Sequence, residues 1–449
     1  MLNILGGGPA GLAAAYYARK QGLPFHIYEA GGEVGGNCRT LQWGDFRFDT
    51  GAHRLHDRDA EVTAEIRGLL GDDLLQVHAP SQIFWNNRFI DFPLSPGDLL
   101  EKLNWGTLRR ITSEVLRLRL RSQPAATNFR DLAIGAYGET LARMFLLNYS
   151  EKLWGEETSR LSPEVAGRRL RGLDLKTFLL EAIAGKKHKT AHLDGSFFYP
   201  RRGIGTMFER VAAAVGPENI SFHNRVTRLV HERGEIRSII LNDRHEIEAG
   251  TVVSSLPLTV AFRMLHPKPP PELLEMAMSV RFRHLVLGVF LLDRPRLTEN
   301  ASIYFPGDQP YTRLYESKNR SAYMAPREQT AIVLEIPCTQ HGEYWTADDG
   351  YLERVLRQSM AADGLIPLDE QLPFRSFRVP FAYPVLEVGF EDKVRRLADY
   401  LTSFRNVHLL GRSARFQYSH IHDIFSSARA TIEGLASRQS AGLGLARSA

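Results

Sequence analysis

Two cysteines in 449 residues, Cys38 and Cys338, are too few for a disulfide framework. No C-x-x-C pair or His/Cys cluster has the spacing of a metal site, so no metal is expected. Apolar runs of 18 residues are absent, which argues against a membrane-spanning helix. The chain opens on a strand-like apolar stretch with no basic leader or cleavage site, and the expectation from both observations is a cytoplasmic protein. A strong charge of either sign is also missing. Fifty-six basic and 51 acidic residues leave a formal net charge of +5, too mild for a nucleic-acid partner and compatible with anionic small molecules or a membrane surface. With 43% hydrophobic and 24% charged residues, and no repeat or low-complexity tract, the chain reads as an ordinary folded enzyme of two or three domains.

Glycine is what the first forty positions have in excess. "NILGGGPAGLAAAYYARKQGLPFHIYEA" fills positions 3 to 30, and "GGEVGGNCRT" follows at once. Gly6, Gly8 and Gly11 form G-x-G-x-x-G, a weak pattern alone. Here it sits between a buried-strand pattern, "LNIL", and a helical pattern with small residues on its first turn. A second strand, "PFHIYEA", then ends on Glu29. Gly6 suits the tight turn, Gly8 the approach of backbone to a pyrophosphate, and Gly11 close packing of helix on strand. With Pro9 and Ala10 these residues open a helix whose N-terminal N–H groups favour phosphate, and Glu29 is placed to accept from ribose hydroxyls. The spacing predicts a dinucleotide site.

From Glu29-Ala30 onward the sequence resembles the FAD family that contains amine oxidases, protoporphyrinogen oxidase and UDP-galactopyranose mutase. The resemblance implies a Rossmann-like, GR2-type FAD-binding α/β domain interleaved with an α+β substrate domain and a helical subdomain. It also implies FAD held without a covalent bond, since no Cys or His lies in a recognisable linkage motif. Gly35, Gly36 and Asn37 would form a loop under the ribityl chain and pyrophosphate, with Arg39 offering charge to the phosphates. In "FRFDTGAHRLH", Gly51, Ala52 and His53 would arrive near the flavin ring, and Val226 would lie beside the adenine.

Domains interleave in such proteins. Residues 1–75, 195–265 and 400–449 are expected to bind FAD, 76–95 and 266–399 to form a substrate-binding sheet domain, and 96–194 the helical subdomain. "SQIFWNNRFIDFPLS" reads as a hairpin turning at Asn86-Asn87, and "FRHLVLGVFLLDRP" as a strand. Near the C-terminus "NVHLLGRSARFQYSHIHDIFSSARATIEGL" reads as strand, loop and helix. The resemblance implies that Gly411, Arg412, Tyr418 and Asp423 meet the flavin there. Asp423 equally suits a helix cap.

The likeness continues through "NYSEKLWGEETSRLSPEVAGRRL", "YTRLYESKN" and "AYPV". It implies Arg169, Arg283 and Arg313 as readers of a substrate diphosphate, and Trp154 and Tyr383 as stacking surfaces. Arg313 and Glu316 could instead form an internal ion pair. Departures from the mutase pattern are "GAHRLH" in place of Gly-Pro-His-Ile-Phe-His, Leu173 where an arginine is expected, with Arg171 nearest, Phe416 in place of a tyrosine, and His420 and His422. The reading is therefore an FAD-dependent oxidoreductase transferring hydride from a C–H or C–N bond, on a sugar-type or other anionic small-molecule substrate. His53, Tyr383 and His420 are the candidate catalytic side chains. The alternatives are a redox-neutral nucleotide-sugar mutase working through reduced flavin, and a flavoprotein without turnover. The basic stretch at 108–122 suits either a solvated helix face or weak contact with anionic lipid. The sequence leaves the oligomeric state open.

Overall fold

The computed structural model describes residues 1–120, 125–169 and 196–446, with the side chains of 119, 167–169 and 439–446 outside the description. Its first sheet is parallel and takes strands from three distant parts of the chain. In order these are Val407–Leu409, Thr251–Ser254, Leu2–Leu5, Phe25–Tyr28 and Ile220–Ser221. Leu2–Leu5 is central and fully buried. Its one polar side chain, Asn3, donates through Nδ2 to the carbonyls of Glu248 and Ala249, while its Oδ1 has no partner. Helix Pro9–Lys20 is rich in alanine, which allows close approach. Leu12 and Ala14 share a core with Met207 and Phe208 of helix Gly205–Val215, and with Phe425 and Ala428 of helix Ile421–Ala446.

Strands His245–Glu248, Glu235–Leu241 and Val226–Glu232 form an antiparallel sheet, and Leu265–His266 joins its edge in parallel. The largest sheet has seven strands: Phe374–Pro384, Phe282–Leu292, Thr330–Cys338, Arg313–Glu316, Ser302–Tyr304, Ser81–Trp85 and Arg88–Phe92. All its neighbours are antiparallel except Ser302–Tyr304 beside Ser81–Trp85. Its central strands are nearly continuous apolar runs because both faces are covered. Leu352, Leu356 and Met360 of helix Asp349–Ala362 pack on one face, and Phe46 and Phe48 pack on the other. The last two strands are the Asn86-Asn87 hairpin, with both asparagines at positive φ (48° and 58°) as a tight primed turn requires.

Helices Pro96–Lys102, Trp105–Leu120, Phe129–Tyr137 and Asn148–Trp154 follow. Ser95 and Asn128 cap two of them by accepting from Asp98 N and Asp131 N. Asp49 joins the first sheet's surroundings to the hairpin Thr40–Trp43/Phe46–Asp49. Its buried carboxylate accepts from Thr40 Oγ1, Tyr199 Oη and Ile204 N.

Candidate functional site

The glycine-rich turn is built from backbone, and its shape forbids side chains. Gly6 has φ +101°, and a Cβ on Gly11 would lie 1.9 Å from Gly6 O. Strand and helix can close on each other only with glycine there. Gly8 is different. A Cβ there would meet only Gly36 Cα, at 3.8 Å, so space at Gly8 is kept open beside the helix entry. Helix Pro9–Lys20 starts with no side-chain cap and no acidic residue in its first turn, which leaves its early N–H groups available to an anion.

Glu29 leaves strand Phe25–Tyr28 and accepts from Gly7 N and Gly31 N, each at 2.7 Å, with Ala30 exposed beside it. A carboxylate has about four acceptor positions, so capacity for ribose hydroxyls remains. The second glycine loop lies against the first through Gly35 N to Gly7 O at 2.9 Å, and Gly36 takes φ +53°. Asn37 ties this loop to the carbonyls of Pro380 and Phe381. Arg39 donates to Gly36 O and pairs with Glu33 at 2.6 Å, so it braces the loop itself.

At the other end of the trough the side chains have buried polar atoms without partners. His53 Nδ1 is one, and Arg412 Nε and Nη2 are others. The Arg412 guanidinium lies 4.3 Å from the Tyr418 ring centre and 5.0 Å from that of Tyr383. Buried donors of this kind require acceptors, and a flavin's carbonyl and phosphate oxygens are acceptors of that kind. Together with the open space at Gly8 and the spare acceptor capacity of Glu29, the residues fit an FAD. Gly411, at φ +91°, gives the same close packing at the C-terminal unit, since a Cβ there would press on Ala10 Cβ at 2.5 Å.

Beyond Tyr383 and Tyr418 opens a cavity of about 1220 Å³. Phe145, Tyr149, Trp154, Tyr304, Tyr383 and Tyr418 line its aromatic end, and Ile83, Leu141 and Leu153 continue it among the helices. Trp154 stands edge-on to Tyr383 at 5.9 Å, and Tyr149 edge-on to Tyr304 at 5.8 Å. Burial pushes the Tyr383 phenol up to about 12, with Glu335 reinforcing and Arg313 opposing. It therefore remains a neutral donor at pH 7. His420 also lines the cavity, edge-on to Tyr418 at 5.7 Å.

The other expected site residues are placed as follows. Arg283 is not on the cavity wall: its guanidinium donates to Leu153 O and Pro337 O, at 3.2 and 2.8 Å, and holds a helix end to the large sheet. Arg313 does face the cavity, but it pairs with Glu335 and not with Glu316. Glu316 instead accepts from Leu297 N, Thr298 N and Thr330 Oγ1. His53 is poorly suited to carry protons. Burial, then Arg320, Arg313 and Arg412, hold its imidazole down to about 3, and it is absent from the cavity wall. Its Nε2 is 3.5 Å from Cys38 Sγ, whose thiol burial pushes up to about 12. The Asp423 carboxylate accepts from His420 N at 2.9 Å and so caps helix Ile421–Ala446. The Val226 side chain is buried in the core with Leu5, Leu229 and Val252. Arg169 ends a helical turn, Pro163–Arg169, and its side chain lies outside the description, as do Arg171 and Leu173 altogether.

Glu335 is the important residue that the sequence reading passed over. It is fully buried and accepts from Arg313 Nε at 2.9 Å, while its other oxygen accepts from Ala52 N at 3.0 Å. Arg313 in turn reaches Tyr383 Oη at 3.3 Å. The carboxylate thus joins the Gly51–His53 loop to the cavity wall. A lone acid in the apolar run "AIVLEIPC" was a visible signal, because an unpartnered charge in a buried strand is costly.

Residues 9–430 match the family described as flavin containing amine oxidoreductase. Protoporphyrinogen oxidase 2, chloroplastic/mitochondrial, of Arabidopsis thaliana is 38% identical over 71 residues, 16% of this chain and 13% of that protein. The zeta-carotene-forming phytoene desaturase of Myxococcus xanthus is 23% identical over 289 residues, 59% of this chain and 55% of the desaturase. The chain therefore matches well under two thirds of the length of either relative. Among solved structures, a reduced UDP-galactopyranose mutase superposes with a TM-score of 0.83 at 18% identity, covering 97% of this chain and 95% of that one. A cofactor-binding triple mutant of putrescine oxidase gives 0.67 at 16% identity, covering 97% and 98%. Oxidase and mutase chemistry thus occur on one fold, and at these identities the likeness is one of fold alone. Because the family match runs over residues 9–430, nearly the whole chain, the chain belongs to the flavin-containing amine oxidoreductases.

Proposed function

We propose that the protein holds FAD non-covalently and is an oxidoreductase that takes hydride from a C–H or C–N bond of a predominantly apolar substrate. The observation that carries this reading is the wall of the cavity next to the orphaned flavin-end donors. Near those donors stand Tyr149, Trp154, Tyr304, Tyr383 and Tyr418, and the guanidinium among them, Arg313, is already paired with buried Glu335, while Arg58, Arg395, Arg405 and Arg415 also line the cavity. A diphosphate would have to displace that carboxylate or rely on other cations. Arg283, the second expected phosphate reader, is turned onto two carbonyls.

FAD, when bound, supplies the hydride acceptor. The chain's contribution is binding, orientation and exclusion of water. Trp154, Tyr383 and Tyr418 offer rigid faces against which an apolar substrate can be placed. The Glu335 carboxylate holds Arg313, and through it the Tyr383 phenol, in one arrangement with the Ala52 N–H. Tyr383, kept protonated, donates a hydrogen bond to a substrate heteroatom. His53 stays neutral behind the loop and fills out the donors around the ring.

The test is anaerobic titration of the purified yellow protein with apolar amines and partly saturated ring compounds, following flavin absorbance. Bleaching of the oxidised flavin without dithionite supports the reading. Tight binding of a UDP-sugar to the dithionite-reduced protein, with no bleaching by any substrate, would overturn it in favour of the mutase. A colourless preparation that takes up no added FAD would overturn both.

A further inference from the structure

Helix Trp105–Leu120 buries one side and presents on the other a surface that the site does not use. Ile111 and Val115 face inward. Trp105, Arg109, Thr112, Leu116 and Leu120 are spaced by three and four, share the opposite face, and are all exposed. Trp105 is 78% exposed, Leu116 58% and Leu120 79%, and Leu100 of the preceding helix adds another 59%. Arg110 and Arg117 are exposed beside this stripe. Among the described residues, Arg109, Arg110 and Arg117 have no salt-bridge partner, and Glu101 is the exposed acid nearest in sequence.

We propose that this face is a docking surface for an anionic lipid bilayer. A tryptophan and leucines interleaved with arginines match the layered chemistry of the membrane interface, where indole rings sit at headgroup level and cations meet anionic headgroups. Charge argues against a second copy of this chain as the occupant. A two-fold contact would bring the same three arginines against their own duplicates. The inner side supplies a second observation. Ile111 and Val115 belong to one apolar cluster with Ile83, Tyr137, Leu141 and Phe145, and these four also line the cavity. Docking through the outer face therefore holds the apolar arm of the cavity one helix away from the bilayer. No described helix is long and apolar enough to cross a membrane, so the contact is peripheral.

The test is co-sedimentation of the full-length protein with phosphatidylcholine vesicles, with and without phosphatidylglycerol, at low and high salt. The expected result is binding to the anionic vesicles, little to the neutral ones, and loss at high salt. Each arginine near the surface contributes about fivefold, so Arg109→Ala/Arg110→Ala/Arg117→Ala should weaken binding about 100-fold. Trp105→Ala/Leu116→Ala should weaken it at low salt as well. All five positions are exposed, so unchanged circular dichroism and flavin content should verify that the variants fold. Absence of binding to anionic vesicles at low salt overturns the proposal. So does equal binding by the arginine variant, or self-association that these substitutions abolish while vesicle binding is lacking. The readout needs neither flavin nor turnover, so its failure is distinguishable from failure of the redox reading.

Discussion

The two halves of the site are made of different material. The trough is backbone: Gly6, Gly8, Gly11, Gly35 and Gly36 shape it, and one carboxylate, Glu29, pins it. The cavity is side chain: Tyr149 and Trp154 come from one helix, Tyr304, Arg313 and Tyr383 from three strands of the large sheet, and Tyr418 from the loop before the last helix. A backbone-built site tolerates almost no added atom, whereas a side-chain-built site can be relined one residue at a time. One fold can therefore keep a flavin and change its substrate.

The sharpest way to break this comparison lies inside the trough. Gly11→Val should prevent folding, because its Cβ would overlap Gly6 O at 1.9 Å. Gly8→Val should fold with a near-normal thermal transition yet retain no flavin, because the space its Cβ enters is open. Circular dichroism and flavin absorbance on the same samples separate the two. A yellow Gly8→Val protein would remove the pyrophosphate assignment. At the junction of the halves, Glu335→Ala should cost about 3–5 kcal/mol in denaturant unfolding, since it leaves Arg313 buried without its counter-ion.

A smaller effect tests whether Arg283 belongs to the cavity. Arg283→Lys should cost about 1.5–3 kcal/mol of stability through its hydrogen bonds to Leu153 O and Pro337 O. It should leave ligand-induced flavin spectral changes intact, and a selective loss of ligand binding at unchanged stability would return it to the substrate site. A last test is pH. The His53 imidazole is held down to about 3 in the folded chain and titrates near 6.5 when unfolded. Between those values the unfolded chain takes up a proton that the folded one does not, so acidification from pH 6.5 toward 3 should reduce stability. His53→Gln should flatten that part of the profile, measured as denaturation midpoint against pH.

Much of the trough was readable along the chain because its determinants are local. Turn, helix and Glu29 fall within residues 3 to 30, where spacing alone constrains geometry. The Asn86-Asn87 hairpin was readable for the same reason. Asp423 was ambiguous because a carboxylate at a helix start suits a cap or a ligand equally; it accepts from His420 N and also lines the cavity. Arg283 and Arg313 show the limit most clearly. Both are arginines in strands of one sheet, and nothing in their flanking residues says which one reaches the cavity wall and pairs with a buried carboxylate and which one finds two carbonyls instead.

The sequence by itself determined the family, the dinucleotide-type trough and the strand-rich middle of the chain, because backbone turns and apolar periodicity are short-range properties. Only the tertiary structure decided that Arg313 is neutralised by Glu335 and that Tyr383 stands between Trp154 and Arg412. It also set His53 behind the cavity as a neutral ring. Charge state and partner choice depend on what a side chain meets after burial, and those partners lie tens to hundreds of residues away in the chain.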